Sequence, residues 1–271
     1  MHPTFSCQIG GNFNTFFRML SAKPWRGEAV LQFCGAQLLC FCLALTIAGL
    51  LQKAGLAAFQ PPDGFGVVLL GTLGFQGVAW LLILFFLRQH QVGWCEAFGF
   101  RGPQLSRALL MAMLVVIILL PVALGLQQVS AVVLTKLGWP PEEQIAVTLL
   151  ANTKSWWVRV YLSAFAVVFA PVAEEFIFRG MLYPFVKQRG SPRLAWVGVS
   201  FAFALIHNDA ATFVPLFVLA LALTWLYEKT DNLLAPITAH ALFNATNLVA
   251  LYFLPQINQF LQKFLHVQLL K

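Results

Sequence analysis

Charge is scarce in this 271-residue chain: 10% of the residues are Asp, Glu, Lys or Arg, whereas 59% are hydrophobic. The mean hydropathy of +0.77 lies far above that of a soluble domain. Long polar linkers are missing too, so the sequence has no room for a second, soluble domain. The net charge of +7 comes from basic residues scattered through short gaps, without the basic stripe and interleaved aromatics of a nucleic-acid surface. These deficits exclude a nucleic-acid partner and predict a polytopic protein surrounded by membrane lipid.

Cysteine is also scarce, and its spacing is irregular. Cys7, Cys34, Cys40, Cys42 and Cys95 all lie in the N-terminal third. They match neither a zinc motif nor a disulfide framework, so we expect buried thiols. The first 27 residues lack the apolar core and cleavage site of a signal peptide. The HExxH motif of the common zinc proteases is absent from the sequence.

Seven apolar runs predict helices that cross or enter a bilayer, since a spanning helix needs about 20 mostly apolar residues. The runs are Ala29–Leu51, Phe65–Leu87, Arg107–Leu134, Trp156–Val186, Leu194–His207, Thr212–Tyr227 and Leu233–Leu254. The fifth run is too short to span alone unless it ends in a cavity. We therefore predict an all-α, polytopic transmembrane helical bundle of seven to eight helices, the eighth being the weakly amphipathic tail.

Basic residues in the loops indicate an orientation. They precede the first run and follow the second and fourth, which places all of them on one side. These residues are Arg18, Lys23, Arg26, Arg88, Arg101, Lys187, Arg189 and Arg193. That side, and the N-terminus with it, is expected to be cytoplasmic. The short loop EKTDN after the sixth run does not follow this pattern.

Two adjacent carboxylates and an arginine interrupt the fourth run, in the stretch PVAEEFIFRG at residues 171–180. A charged side chain at the bilayer centre costs roughly 2.5–3.5 kcal/mol on insertion scales unless it faces a cavity or a partner. Glu175 and Arg179 stand four residues apart and can pair on one helical face, whereas Glu174 is turned by about 100° from Glu175. We expect Glu175 to be structural and Glu174 to be available for chemistry.

Two later apolar runs also carry polar groups. FALIH ends in His207, and HALFN contains His240 and Asn244 four residues apart on one helical face. Convergence of the three runs would bring a carboxylate, two imidazoles and a carboxamide into one water-accessible pocket. Such a set can activate water, with glutamate as general base, histidines as metal ligands or oxyanion donors, and asparagine as a further donor.

The stretches EEFIFR, FALIH and HALFN match the patterns EExxxR, FxxxH and HxxxN in order, within residues 155–255. In these motifs the chain resembles the CAAX-processing intramembrane endopeptidases, the Rce1 and Abi group also called the CPBP family. The resemblance implies a helical membrane fold around a conical cavity that opens to the cytosol and to lipid. It implies that Glu174 activates water and that Glu175 and Arg179 support it. The residues implied to bind and polarise the scissile carbonyl are His207, His240 and Asn244.

The need for a metal stays open at this point. With Zn²⁺ as cofactor, Glu174, His207 and His240 would be the three protein ligands and water the fourth. Without it, only Glu174 need contact the water, and a histidine and Asn244 would donate to the oxyanion. We favour the metal-free mechanism, because Asn244 is a poor zinc ligand but a good oxyanion donor one turn from His240.

This interpretation divides the chain into four parts. Residues 1–28 form an N-terminal cytoplasmic or interfacial segment, 29–150 the N-terminal transmembrane helices, 151–255 the CAAX protease (Abi) catalytic core, and 256–271 a C-terminal amphipathic tail. We expect an integral protein of the bacterial inner (cell) membrane. Its partner would be a membrane-associated protein or peptide substrate, with prenylated CAAX proteins as one class.

Other interpretations of the same residues are structural or concern transport. The glutamates and Arg179 could form an ion-pair network, His207 could cap its helix, and the HALFN pair could be interhelical hydrogen bonds. The intramembrane charges could also form the ion or proton relay of a membrane transporter, although the sequence shows no inverted repeat. An inactive protein with the same fold is the third alternative.

Overall fold

The computed structural model describes residues 20–60, 64–100, 105–141 and 145–269, with side chains up to residue 253. Within these ranges the chain forms nine helices and a 3-10 turn, Ala57–Phe59, and contains no strand. The helices are α1 Gly27–Lys53, α2 Phe65–His90, α3 Trp94–Phe98, α4 Leu105–Lys136, α5 Ile145–Asn152, α6 Trp156–Lys187, α7 Pro192–Leu205, α8 Ala210–Thr230 and α9 Leu234–Leu269.

The predicted all-α polytopic fold is confirmed. Among the described helices, six are long and apolar enough to cross a membrane: α1, α2, α4, α6, α8 and α9. Helix α7, with 14 residues, is the short fifth run that is not expected to span by itself. Helices α3 and α5 were not predicted, because they lie in gaps that are too short for hydropathy to mark. The last helix continues to residue 269, so the backbone of the tail extends α9 instead of forming a separate element.

The expectation of buried thiols is wrong for two cysteines. The four described cysteines are free, and Cys42 and Cys95 are exposed, while Cys34 and Cys40 are half-buried. The reason for Cys42 is the position of α1 at the edge of the bundle, where only 17% of its most apolar window is buried inside the protein. The fifth cysteine, Cys7, lies outside the described residues, as do the first 19 residues of the N-terminal segment.

Helix α6 is more enclosed than α2 and α4, and α8 is another long helix with a large buried share, 44% of its most apolar window. Helix α6 contacts α2, α7 and α9, and 39% of its most apolar window is buried, against 17% in α2 and in α4. One buried apolar cluster joins α6 to α1, α2, α3 and α7. A second cluster joins α4, α8 and α9. Protein therefore replaces lipid around much of α6, which is the condition for charged groups at membrane depth.

Wide π-helical turns interrupt two of the long helices. They are Leu73–Gly77 in α2 and Phe165–Phe169 and Phe176–Leu182 in α6. In such a turn each N–H bonds the carbonyl five residues back, as the Ala170 N–H does with the Phe165 carbonyl. The extra residue leaves a carbonyl without its usual helical donor. The glutamate pair lies between the two wide turns of α6.

The basic segments meet at one end of the bundle. The Arg26 N–H donates to His90 Nε2 at 3.1 Å, which joins the N-terminal segment to the end of α2. Gln188 Nε2 donates to the Lys23 carbonyl at 3.0 Å, which joins the end of α6 to the same segment. Lys23, Arg26 and the end of α6, which carries Lys187, therefore lie at one end of the bundle.

The stretch EKTDN lies at this same end, and its first three residues complete α8 rather than forming a loop. Glu228 is fully buried and accepts hydrogen bonds from the Tyr183 hydroxyl at 2.5 Å and from the Lys187 ammonium group. Asp231 pairs with Lys23 at 3.2 Å. The acidic groups neutralise basic side chains of the same face. A count of loop charges that ignores pairing therefore misjudges this stretch.

The Lys187→Met variant should be less stable by about 3–5 kcal/mol, because it leaves the buried Glu228 carboxylate without its cation. The Lys53→Met variant makes the same change at an exposed lysine of α1 and should alter the free energy of unfolding by less than about 0.5 kcal/mol. The measurement is unfolding of the purified protein in detergent. Addition of Glu228→Gln to Lys187→Met should recover part of the loss. Equal stability of the two lysine variants would contradict the assignment.

Candidate active site

The charged side chains in the middle of α6 are buried among neighbouring helices. Glu175 and Arg179 have no exposed surface, and Glu174 retains 7%. Arg179 Nη1 donates to Glu175 Oε1 at 2.8 Å, so the ion pair expected from the four-residue spacing is present. A buried pair of this kind is more stable when its remaining hydrogen-bonding groups also find partners. The second Glu175 oxygen, Oε2, is buried and has no hydrogen-bond partner among the described residues.

The neighbouring helices supply those partners to Arg179. Its Nε donates to Thr224 Oγ1 at 3.3 Å and its Nη2 to the Ala220 carbonyl at 3.1 Å, both in α8. The guanidinium carbon lies 4.5 Å from the centre of the Phe203 ring of α7, a cation–π distance. Arg179 thus ties α6 to α7 and α8. Sequence reasoning missed Thr224, although a threonine in the apolar centre of α8 is a signal for such a contact.

His240 lies between the two carboxylates. Its Nδ1 is 2.9 Å from Glu175 Oε1, and its Nε2 is 3.9 Å from Glu174 Oε2. An ionised carboxylate only accepts hydrogen bonds, so Nδ1 carries the proton at the contact with Glu175. In neutral His240 the lone pair is therefore on Nε2, the nitrogen nearer to Glu174.

The gap between Glu174 and His240 is suited to a water molecule. A separation of 3.9 Å is too long for a direct hydrogen bond and allows one water to contact both atoms. Glu175 Oε1 already accepts from two partners. Among the described residues, Glu174 comes within ion-pair distance of His240 alone. The geometry therefore separates a carboxylate that is held from one that is available.

Asn244 follows His240 by one turn, but one of its amide hydrogens is used on α6. Its Nδ2 donates to the Ala166 carbonyl at 2.8 Å, inside the wide turn Phe165–Phe169. The next π-helical donor to that carbonyl would be residue 171, which is Pro171 and has no N–H. Asn244 therefore replaces a missing backbone donor. Its second amide hydrogen remains for another acceptor.

His207 joins the site indirectly. It lies just beyond the end of α7, and its Nδ1 is 2.8 Å from the Phe203 carbonyl. A carbonyl only accepts, so Nδ1 carries a proton and neutral His207 offers an acceptor at Nε2. The centre of the Phe203 ring is 4.9 Å from that of His207 and 5.6 Å from that of His240. His207 is thus connected to the glutamates through Phe203 rather than by a hydrogen bond.

The three candidate zinc ligands do not form a metal site as they are placed. Among the described residues, no group of three or more His, Cys, Asp or Glu side chains is arranged to hold a metal ion. Both histidines do have an acceptor at Nδ1, as zinc-binding histidines usually have. The missing feature is convergence of Glu174, His207 and His240 on one point. As placed, the described residues offer zinc no set of three converging ligands.

Comparison with known proteins agrees with the motifs. Residues 155–246 match the family model of the type II CAAX prenyl endopeptidases, described as Rce1-like. The match begins one residue before α6, ends within α9 and includes all of the candidate site residues. No curated protein and no solved structure shows a significant match. The six long apolar helices and the family match together indicate an integral membrane protein. The chain carries an Rce1-like domain, which supports assignment to the CAAX proteases.

The Arg179→Ala variant should lose about 3–5 kcal/mol of stability, because it strands the buried Glu175 carboxylate. The control is Arg189→Ala, which removes an exposed guanidinium ten residues further along, just after α6. Thermal unfolding in detergent and the yield of folded protein are the measurements. Introduction of Glu175→Gln beside Arg179→Ala should restore part of the stability. A normally stable Arg179→Ala protein would show that this ion pair is not structural.

Proposed function

We propose that this protein is an intramembrane endopeptidase that hydrolyses a peptide bond of a membrane-associated protein or peptide. One observation carries the proposal: an available carboxylate, Glu174, and an imidazole lone pair on His240 Nε2 lie 3.9 Å apart in a buried site. This is the spacing at which one water molecule can be bound and polarised by both groups. The match to the CAAX prenyl endopeptidase family supports the same reaction class.

The chemistry begins with a water that donates one hydrogen to Glu174 and the other to His240 Nε2. A lone pair of the water oxygen then points toward the substrate carbonyl carbon. Glu174 takes a proton as the new C–O bond forms, and the carbonyl oxygen becomes an oxyanion. Collapse of the tetrahedral intermediate breaks the C–N bond, and Glu174 returns the proton to the leaving amine. The products are a carboxylic acid and an amine.

Asn244 and His207 serve the substrate in this proposal. The second amide hydrogen of Asn244 donates to the oxyanion. His207 Nε2 accepts a hydrogen bond from a substrate N–H, because its Nδ1 is bound to the Phe203 carbonyl. A donor role for His207 would need a ring protonated on both nitrogens. Arg179 acts from outside the reacting atoms, by holding Glu175 in contact with His240 Nδ1.

The substrate class and the orientation are inferred from the family and from the charges. The family description supports prenylated CAAX-type proteins as one substrate class. The face that carries Lys23, Arg26 and Lys187 is placed in the cytoplasm, where basic loops are enriched. The bacterial inner (cell) membrane is the expected location.

The alternative of an ion or proton relay has a different structural requirement. A relay would need titratable groups that continue from Arg179 toward the far side of the membrane. The guanidinium instead donates to the Thr224 hydroxyl and the Ala220 carbonyl, neither of which titrates near neutral pH. This arrangement suits an anchor for Glu175 better than a path for ions.

The Glu174→Gln variant should lose at least about 10²-fold in kcat, because the amide keeps the shape of the side chain but cannot accept the proton. The assay is cleavage of a quenched peptide by purified protein in lipid vesicles, with unfolding measured in parallel. Glu28→Gln, the same change at an exposed position in α1, should be fully active. An active Glu174→Gln protein would overturn the proposed role.

The metal-free mechanism predicts that the active protein carries zinc at well below one ion per chain. Prolonged treatment with a chelator should leave the rate of peptide cleavage within about twofold of the untreated value, since only Glu174 and His240 need contact the water. Elemental analysis and the same cleavage assay measure both. Stoichiometric zinc, with activity lost on its removal and regained on its addition, would show that the proposed mechanism is wrong.

A further inference from the structure

Two prolines bracket the glutamate segment of α6, and each removes a backbone donor. Pro171 cannot donate to the Ala166 carbonyl five residues before it, and Pro184 cannot donate to the Arg179 or Gly180 carbonyl, five and four residues before it. An unpaired carbonyl in an apolar surrounding is costly. A side chain from outside α6 supplies the missing hydrogen in both places. Asn244 serves the first carbonyl at 2.8 Å.

Trp25 serves the second carbonyl. Its Nε1 donates to the Gly180 carbonyl at 2.8 Å, and the side chain is buried, with 7% of its surface exposed. Its ring is packed edge-on against Phe86 at 5.1 Å and His90 at 5.4 Å between ring centres. Trp25 precedes α1 and lies outside the matched domain of residues 155–246. A residue of the N-terminal segment thus donates a hydrogen bond to the backbone of α6.

Other described residues of this segment, Leu20 and Lys23, are bound to the same end of the bundle. The Leu20 N–H donates to Glu228 Oε2 at 3.3 Å, and Lys23 pairs with Asp231 at 3.2 Å. Gln188, just after α6, donates to the Lys23 carbonyl at 3.0 Å. Trp25 therefore presents its N–H from a fixed support, which is a condition for setting the position of another group.

The Gly180 carbonyl belongs to the wide turn Phe176–Leu182, which also contains Arg179. The turn is closely packed at this point, because a Cβ on residue 180 would lie 2.8 Å from the Phe98 ring. The placement of the carbonyl and the placement of the guanidinium are thus set by the same turn. Arg179 in turn holds Glu175 at 2.8 Å, and Glu175 holds His240 at 2.9 Å.

We propose that Trp25 is a positioning residue for peptide hydrolysis. Its hydrogen bond fixes the wide turn of α6 and, through Arg179 and Glu175, the direction of the His240 ring. The inference rests on the proposed function, because the step that it supports is the polarisation of water by His240 and Glu174. It assigns to the N-terminal segment a part in the active site that the domain boundaries do not suggest.

The test compares two tryptophans that make the same kind of bond. Trp25→Phe removes the N–H and keeps most of the ring, whereas Trp196→Phe removes a donor to the Leu221 carbonyl at 2.9 Å, between α7 and α8. With the quenched peptide, Trp25→Phe should lower kcat by about tenfold or more and change KM by less than about twofold, because small misplacements of reacting groups act on turnover. Trp196→Phe should keep the wild-type kcat even if its melting temperature falls as much as that of Trp25→Phe.

A second substitution gives a rescue. Pro184→Ala restores a backbone N–H that can donate to the Gly180 carbonyl, so Trp25→Phe with Pro184→Ala should regain most of the lost kcat. If Trp25 acted only by packing, adding one backbone N–H would not recover the kcat that Trp25→Phe loses. Wild-type kcat in a folded Trp25→Phe protein, or equal losses of kcat in the two tryptophan variants, would overturn the proposal.

A readout independent of turnover separates this inference from the proposed function. In protein labelled with ¹⁵N-histidine, the resonance of the His240 Nδ1 proton should shift in Trp25→Phe, stay in place in Trp196→Phe and return with Pro184→Ala. An unshifted resonance in Trp25→Phe refutes the positioning role even if no peptide is cleaved. If the resonance shifts in Trp25→Phe but the wild-type protein cleaves no peptide, the positioning of His240 by Trp25 is supported and only the endopeptidase assignment is refuted.

Discussion

One buried positive charge organises the centre of this protein. Arg179 has no exposed surface, so its charge must be matched and its N–H groups must find acceptors within the protein. Glu175 supplies the opposite charge, and α8 supplies a hydroxyl and a carbonyl. The same Glu175 oxygen then accepts from His240 of α9. The positions of α6, α8 and α9 at the site therefore follow from satisfying a single guanidinium group.

The second constraint is the cost of an unpaired backbone carbonyl in an apolar medium. Each wide turn frees a carbonyl, and each has one bound by a side chain from elsewhere. Gln37 of α1 donates to the Phe75 carbonyl at 2.9 Å, Asn244 to α6 at its first wide turn and Trp25 at its second. Polar side chains in apolar helices thus serve the backbone here as well as the chemistry. These side-chain hydrogen bonds to backbone carbonyls occur at the wide turns, which lie within α6 or pack against it.

The sequence allows prediction where the determining contact is local. The pairing of Glu175 with Arg179 follows from helical spacing alone, and the fold class follows from the length of the apolar runs. The partner of Asn244 could not be predicted, because it depends on how α9 lies against α6 and on a wide turn that leaves no signal in composition. Glu228 was misjudged for a related reason, since its cation, Lys187, comes from another helix. The motifs identify the participants of the site, whereas their partners depend on packing between helices.

Glu174 and Glu175 are adjacent on one helix, but their carboxylates have different surroundings. Glu175 Oε1 accepts from both Arg179 and His240, so Glu175 is suited to holding groups in place. Glu174 stands about 100° further round the helix, away from that pair and facing the second nitrogen of the same imidazole. The bonds that immobilise Glu175 also immobilise the backbone of its neighbour. An available carboxylate is thereby held at a fixed distance from His240 without a contact that occupies its own oxygens.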